Sequence, residues 1–156
     1  QIKAAFVTEM NRVIANKDQV LADIRMLIVS LTDTRELEEK EASAGKELEA
    51  VSESMRNLVD AYAHALIEQA EYDDRYAELL AQSRVIEDRI AQIGEQREQR
   101  KVRKRELDAF YKVLKAAGPI VEFDEDLWNV ALENCRIIND GSVIFQLNDG
   151  VKIVAR

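Results

Sequence analysis

The stretch EYDDRYAELLAQSRVIEDRIAQIGEQREQRKVRKRELDAFYKVLKAA, residues 71–117, decides the fold. Within it Tyr72, Tyr76, Leu79, Ser83, Ile86, Ile90 and Ile93 alternate at steps of four and three. That spacing sets them on one stripe of an α-helix, the seam of a coiled coil. Carried onward, the register lands on Arg97, Arg100 and Lys104 before returning to Leu107, Tyr111 and Leu114. A helix of about 45 residues is roughly 65 Å long. No small domain buries such a helix all round, so it is expected to project or to bundle.

Working back along the chain, a second helix is expected from about Thr34 to His64. Its apolar stripe, Ala44, Leu48, Val51, Met55, Leu58 and Tyr62, keeps the same alternation. The chain then has to reverse between His64 and Gln69. An antiparallel hairpin centred there lays the basic run Arg97–Arg105 beside Glu36, Glu38, Glu39 and Glu41. Basic meets acidic where the apolar seam is broken, which disfavours other registers. Asp33, with Glu36 three residues on, matches a capping box at the start of this helix. Before it, Ile2, Phe6, Met10, Val13 and Ile14 share a helical face, and Val20, Leu21, Ile24 and Ile28 resume the pattern after an interruption at Asn16. These pieces are more apolar than the arm and are read as its base.

Gly118-Pro119 stops the long helix. Ile120 to Phe123 reads as a short strand, and Asp124 as the cap of a short helix reaching about Asn134. Two Asn-Asp-Gly turns follow, at 139–141 and 148–150, each between apolar runs. Asp-Gly in this setting signals a hairpin with positive φ at both turn positions. The fold expected is therefore mainly α: base helices over 1–31, an antiparallel coiled-coil arm over 32–118, and a cap over 119–156. The cap is a short helix with a three-stranded β-meander, which needs to pack on the base because three strands alone are barely stable.

Composition agrees with long solvated helices. The 156 residues are 33% charged and 6% aromatic, with a net charge of −8. Apolar runs such as Met26 to Val29 are far shorter than the ~20 residues of a membrane span. A single cysteine, Cys135, leaves no internal disulfide and suits a reducing cytoplasm. The chain opens on Gln1 rather than methionine, and we expect it to be a piece of a longer protein.

No catalytic constellation is legible. His64 could share a helical face with Asp60 and Glu68, but two or three ligands at a turn make a poor metal site. Cys135 has no histidine near it in sequence to act as a base and is read as a structural thiol. The carboxylates follow solvated helix faces, and no phosphate-cradling glycine loop occurs. Two candidate contact surfaces remain. Tyr62, Leu66, Ile67 and Tyr72 form an apolar group at the reversal, suited to protein contact. Arg100, Lys101, Arg103, Lys104 and Arg105 could touch a DNA backbone, or could be neutralised by the facing acids.

Four segments also resemble, in order, the C-terminal part of large serine site-specific recombinases of conjugative transposons and phages. Ala5-Phe-Val-Thr-Glu-Met-Asn-Arg-Val-Ile14 is similar to the helix after that family's zinc ribbon. Gln69-Ala-Glu-Tyr-Asp-Asp-Arg-Tyr-Ala-Glu-Leu79 resembles the start of the return helix of its coiled coil. Glu122-Phe-Asp-Glu-Asp-Leu-Trp128 resembles the segment that follows. Ile137-Ile-Asn-Asp-Gly-Ser-Val-Ile-Phe-Gln-Leu-Asn-Asp-Gly150 resembles the closing hairpin. The resemblance implies a parent that cuts and rejoins DNA through a serine nucleophile, with catalytic domain and zinc ribbon upstream. It implies no catalytic residue, metal or other cofactor in these residues. It also implies that the coiled coil contacts other recombinase subunits during synapsis. DNA would be met through the parent, and no membrane or small-molecule substrate is expected. The rival readings are a structural coiled-coil spacer or dimeriser, and a direct DNA-binding arm.

Overall fold

The long helix is continuous from Gln69 to Ala116 in the computed structural model, which describes residues 1–155. It is α4 in chain order. Before it come α1 (Ile2–Ala15), α2 (Lys17–Thr32) and α3 (Arg35–Ala63); after it come α5 (Glu125–Ala131), β1 (Leu132–Ile137), β2 (Val143–Leu147) and β3 (Lys152–Ala155). The fold is mainly α, with a long antiparallel helical hairpin, N-terminal base helices and a small β-meander, as expected. Two compact units make it up: one of residues 34–99, and one joining Gln1–Asp33 to the chain from Arg100 onward. Residues 100–118, read as arm, thus cluster with the base and cap.

Residues 34–99 form the hairpin. On α3, Ala44 and Leu58 are buried and Leu48, Val51 and Met55 half-buried; on α4, Ile86 and Ile93 are buried and Ser83 and Ile90 half-buried. The stripe on α3 reaches further back than the apolar pattern suggested, through Glu41 to buried Leu37. Glu41 and Arg97 both occupy seam positions, and Arg97 Nη1 donates to the Glu41 carboxylate at 2.6 Å. Arg89 reaches Glu47 at 2.5 Å beside the seam. An ion pair in place of an apolar layer contributes little stability but penalises a slipped register.

The start of α3 differs from the expected capping box. Asp33 closes α2, its N–H donating to the Val29 carbonyl, and Thr34 is the N-cap. Thr34 makes no cap bond to a backbone N–H; its hydroxyl donates to Glu38 at 2.6 Å. The carboxylate of Asp33 lies one residue too early because its backbone is spent on ending the preceding helix.

In the other unit the core draws on every element. Phe6 and Met10 of α1, Ile24 of α2, Phe110 and Leu114 of α4, and Phe145 of β2 are almost wholly removed from solvent. Each such side chain contributes roughly 1.5–3 kcal/mol of burial free energy. Phe6 meets Phe123, Trp128 and Phe145 edge-on at 4.9–5.9 Å. The meander has order β1-β2-β3, with Cys135, Phe145 and Ile153 in one row. Its inner face therefore rests on α1 and α5, which supplies the packing a three-stranded sheet requires. Asn16 does separate α1 from α2; its side-chain amide donates to the Arg12 carbonyl at 3.1 Å, a second bond there beside the one from its own backbone N–H at 3.3 Å.

Three local expectations are corrected here. Residues 120–123 form no strand. Instead the Asn11 side chain donates to the Ile120 carbonyl and accepts from its N–H, both at 2.8 Å, doing the work of a neighbouring strand. The short helix is capped by Asp124, which accepts from Leu127 N–H, but it ends at Ala131 rather than near Asn134. Asn148 explains the early stop: its backbone N–H donates to Ala131 O and its amide to Val130 O. Two carbonyls at the helix end are thereby satisfied. Both Asn-Asp-Gly turns are three-residue loops, with positive φ only at Gly141 and Gly150. Gly141 N–H donates to Ile138 O and Ile138 N–H to Ser142 O; the second loop repeats this with Gly150, Leu147 and Val151. That is a type I turn followed by a glycine bulge. It lets Asp140 and Asp149 keep negative φ and accept from the N–H two residues on, at 2.9 and 3.0 Å. Among the described residues no helix is long and apolar enough to cross a membrane.

Candidate protein-contact site

The reversal is built by backbone bonds at the end of α3. Leu66 N–H donates to Ala61 O at 3.0 Å and Ala65 N–H to Tyr62 O at 2.9 Å. These two bonds define a Schellman closure, which requires a left-handed residue between the helix and its exit. Glycine usually fills that place; here it is Ala65, at φ 53°. In such closures the residue after the left-handed one often folds back apolar-to-apolar onto the helix. Leu66 would meet only the methyl of Ala61, and it stays 75% exposed. Ile67 is half-buried.

Three tyrosines flank this turn. Tyr62 on α3 stacks on Tyr72 of α4 at 4.6 Å and 27°, and Tyr72 stacks on Tyr76 at 5.6 Å and 23°. Offset stacking of this kind adds about 0.5–1.5 kcal/mol per pair beyond area. Tyr62 remains 40% exposed and Tyr76 36%. The reversal thus presents aromatic surface held rigidly by the hairpin, beside an outward leucine. Tyr62 and Tyr72 are brought together as expected, with Leu66 and Ile67 on the loop between them. Tyr76 belongs to the group as well. Its spacing of four from Tyr72 was the available signal, but it reads equally as seam.

The basic run is arranged differently. Arg100 donates to Asp33 O at 2.7 Å, Arg103 lies 3.4 Å from Glu106 and 3.7 Å from Glu133, and Lys104 donates to Asp108 at 2.8 Å. Lys101 and Arg105 are exposed and also make interactions of their own. The partners of Arg100, Arg103 and Lys104 are carboxylates and a carbonyl of the same chain. Of the four glutamates expected opposite the run, Glu41 takes Arg97, while Glu36 takes Lys40 and Glu38 takes Thr34.

Other titratable groups do not converge. His64 Nδ1 sits 2.9 Å from the Asp60 carbonyl and 3.5 Å from its carboxylate, both residues exposed. Burial pushes the half-buried Cys135 thiol up from its ordinary value, away from the thiolate. Among the described residues no three His, Cys, Asp or Glu side chains are grouped to hold a metal ion. An open groove of about 1440 Å³ runs between α1, α5 and the sheet, past Ile2, Phe123, Trp128 and Ile137. Its walls are mostly apolar, with Lys3 over the Phe123 ring at 4.5 Å. No family model matches this chain, and no curated protein or solved structure is significantly similar to it.

Proposed function

We propose that these residues form a non-catalytic protein-contact module whose working surface is the closing turn of the hairpin. The observation that carries the reading is the Tyr62–Tyr72–Tyr76 stack, left partly exposed beside a Leu66 that is 75% exposed. Rigid tyrosine rings are the material of interface anchors, and an outward leucine beside them extends the exposed apolar surface that marks a contact site. The hairpin's own packing does not need Leu66. The DNA-backbone alternative is less favoured, since Arg97, Arg100, Arg103 and Lys104 have intramolecular partners.

The sequence resemblance supports a more specific setting. The parent would be a large serine recombinase acting in the cytoplasm, and the turn would contact other subunits while two DNA sites are held in synapsis. Replacing Leu66 and Ile67 by glutamate in that parent should weaken synapsis and leave binding to a single DNA site unchanged, as read by gel-shift of one- and two-site complexes. Unchanged synapsis would remove the contact reading.

A further inference from the structure

We propose that the closing turn takes a partner with a cationic contact surface, one that sets apolar side chains among arginines or lysines, and that it does not pair with an identical turn. This rests on the contact reading above and adds to it the sign of the partner's charge. Tyr62, Leu66, Ile67, Tyr72 and Tyr76 supply area but no charge preference. Their neighbours do. Residues 60–78 hold six carboxylates, Asp60, Glu68, Glu71, Asp73, Asp74 and Glu78, against one formal cation, Arg75. Arg75 is taken by Glu71 at 2.7 Å, and His64 lies against Asp60. Glu68, Asp73, Asp74 and Glu78 are exposed and have no ion pair among the described residues.

Placement ties these charges to the rings. Glu68 is one turn ahead of Tyr72, whose N–H donates to the Glu68 carbonyl at 3.0 Å. Asp73 is one turn ahead of Tyr76 on α4, a spacing at which helix side chains are neighbours. Two such turns face to face would bring like charges well inside the Debye length of about 8–10 Å. Stacked ring faces are themselves electron-rich, which adds to the preference for a cation. A guanidinium suits the surface twice over, since it can lie flat on a ring and fork onto a carboxylate. Opposite charge would then steer the encounter and fix its orientation.

The test uses the whole 156-residue chain, labelled with ¹⁵N. It is titrated with a synthetic amphipathic peptide of leucine and arginine, and with its counterpart carrying glutamate for arginine. The leucine–arginine peptide should shift the amides of residues 62–76, and its affinity should fall about tenfold between low and physiological salt. Combining Glu68→Gln, Asp73→Asn and Asp74→Asn should weaken it about tenfold, and Leu66→Ser should weaken it without changing the salt dependence. Neutralising Glu39, Glu49 and Glu53 together should leave it unchanged. The proposal is overturned if the glutamate peptide shifts the same amides as strongly, or if the neutralised turn binds as before. It is likewise overturned if the chain alone associates through these amides at low salt. Those three results leave the contact reading standing. If neither peptide reaches the turn, this proposal falls, and the synapsis measurement decides the contact reading separately.

Discussion

Replacing Ala65 by glycine should stabilise the hairpin, although it removes a methyl group and touches no side-chain contact. Ala65 sits at φ 53°, where an L-residue with a Cβ is held at a cost of about 1–2 kcal/mol. Glycine adopts this conformation without that cost. Against the gain stands the greater freedom of glycine in the unfolded chain, about 0.4–1 kcal/mol. The balance is a net stabilisation of about 0.5–1 kcal/mol, which belongs to the closure itself. The cleanest readout is hydrogen exchange at the Leu66 amide, which donates to Ala61 O and is exposed whenever the closure opens. After correction for intrinsic rates, Ala65→Gly should slow that exchange about two- to fivefold. Ala50→Gly, at an exposed mid-helix position of α3, provides the opposite sign. It should cost about 1 kcal/mol by propensity alone. If Ala65→Gly speeds exchange, or behaves like Ala50→Gly, the left-handed closure is not how the chain turns, and the outward display of Leu66 loses its explanation.

Phe110 has no exposed surface, and Phe110→Ala should cost the base-and-cap unit about 3–5 kcal/mol, followed by urea unfolding with Trp128 fluorescence. Asn11→Ala strips both hydrogen bonds from the Ile120 backbone and should cost about 1–3 kcal/mol by the same assay, whereas Asn11→Asp keeps only the acceptor and should fall between. The two turn aspartates should respond oppositely to pH. Burial, with the nearby Asp23 charge acting in the same direction, holds the Asp149 carboxyl above its ordinary range, so the fold favours its protonated form; that stabilisation is present at low pH and lost as pH rises through the raised value. The Ser142 backbone N–H holds Asp140 below its ordinary range, so its contribution is present above that range and lost as pH falls. In urea midpoints taken between about pH 3 and 6, Asp149→Asn should steepen the rise of stability with pH and Asp140→Asn should flatten it.

What could be read from the residues and what could not divides along a physical line. A seam is periodic, so Leu48, Val51, Met55, Ile86, Ile90 and Ile93 betray both helices and their inner faces without knowledge of any partner. Tyr62 and Tyr72 follow, because each ends its stripe at the reversal. The missed features depend on one side chain answering a backbone group far away. Asn11 and Ile120 are 109 positions apart, and the Asn148 amide answers the Val130 carbonyl 18 positions earlier, in the last turn of α5. Nothing near Ile120 tells that its N–H and carbonyl are already satisfied, so an apolar run there reads as a strand. Ala65 is hidden differently. Alanine is the best helix former, so its presence argues for continuing α3, and only the two bonds closing over it reveal the exit.

The same division explains how the contact surface is held in place. Stacking of Tyr62 on Tyr72 depends on the register between α3 and α4, and rings alone do not choose it. A slip of one heptad leaves apolar residues facing apolar residues along most of the seam. It does not leave Glu41 facing Arg97, or Glu47 facing Arg89. Those pairs sit 21 and 15 residues before Tyr62 along α3, and each is half-exposed and worth little on its own. Their contribution is to the gap between registers, because a slip costs both pairs and leaves Arg97 against apolar seam. Exchanging Glu41 and Arg97 together for leucine should therefore leave the hairpin as stable or more so. It should also broaden the tyrosine environment, measured as additional ring resonances for Tyr62 and Tyr72. A single unchanged set of resonances in that variant would place register control in the turn itself.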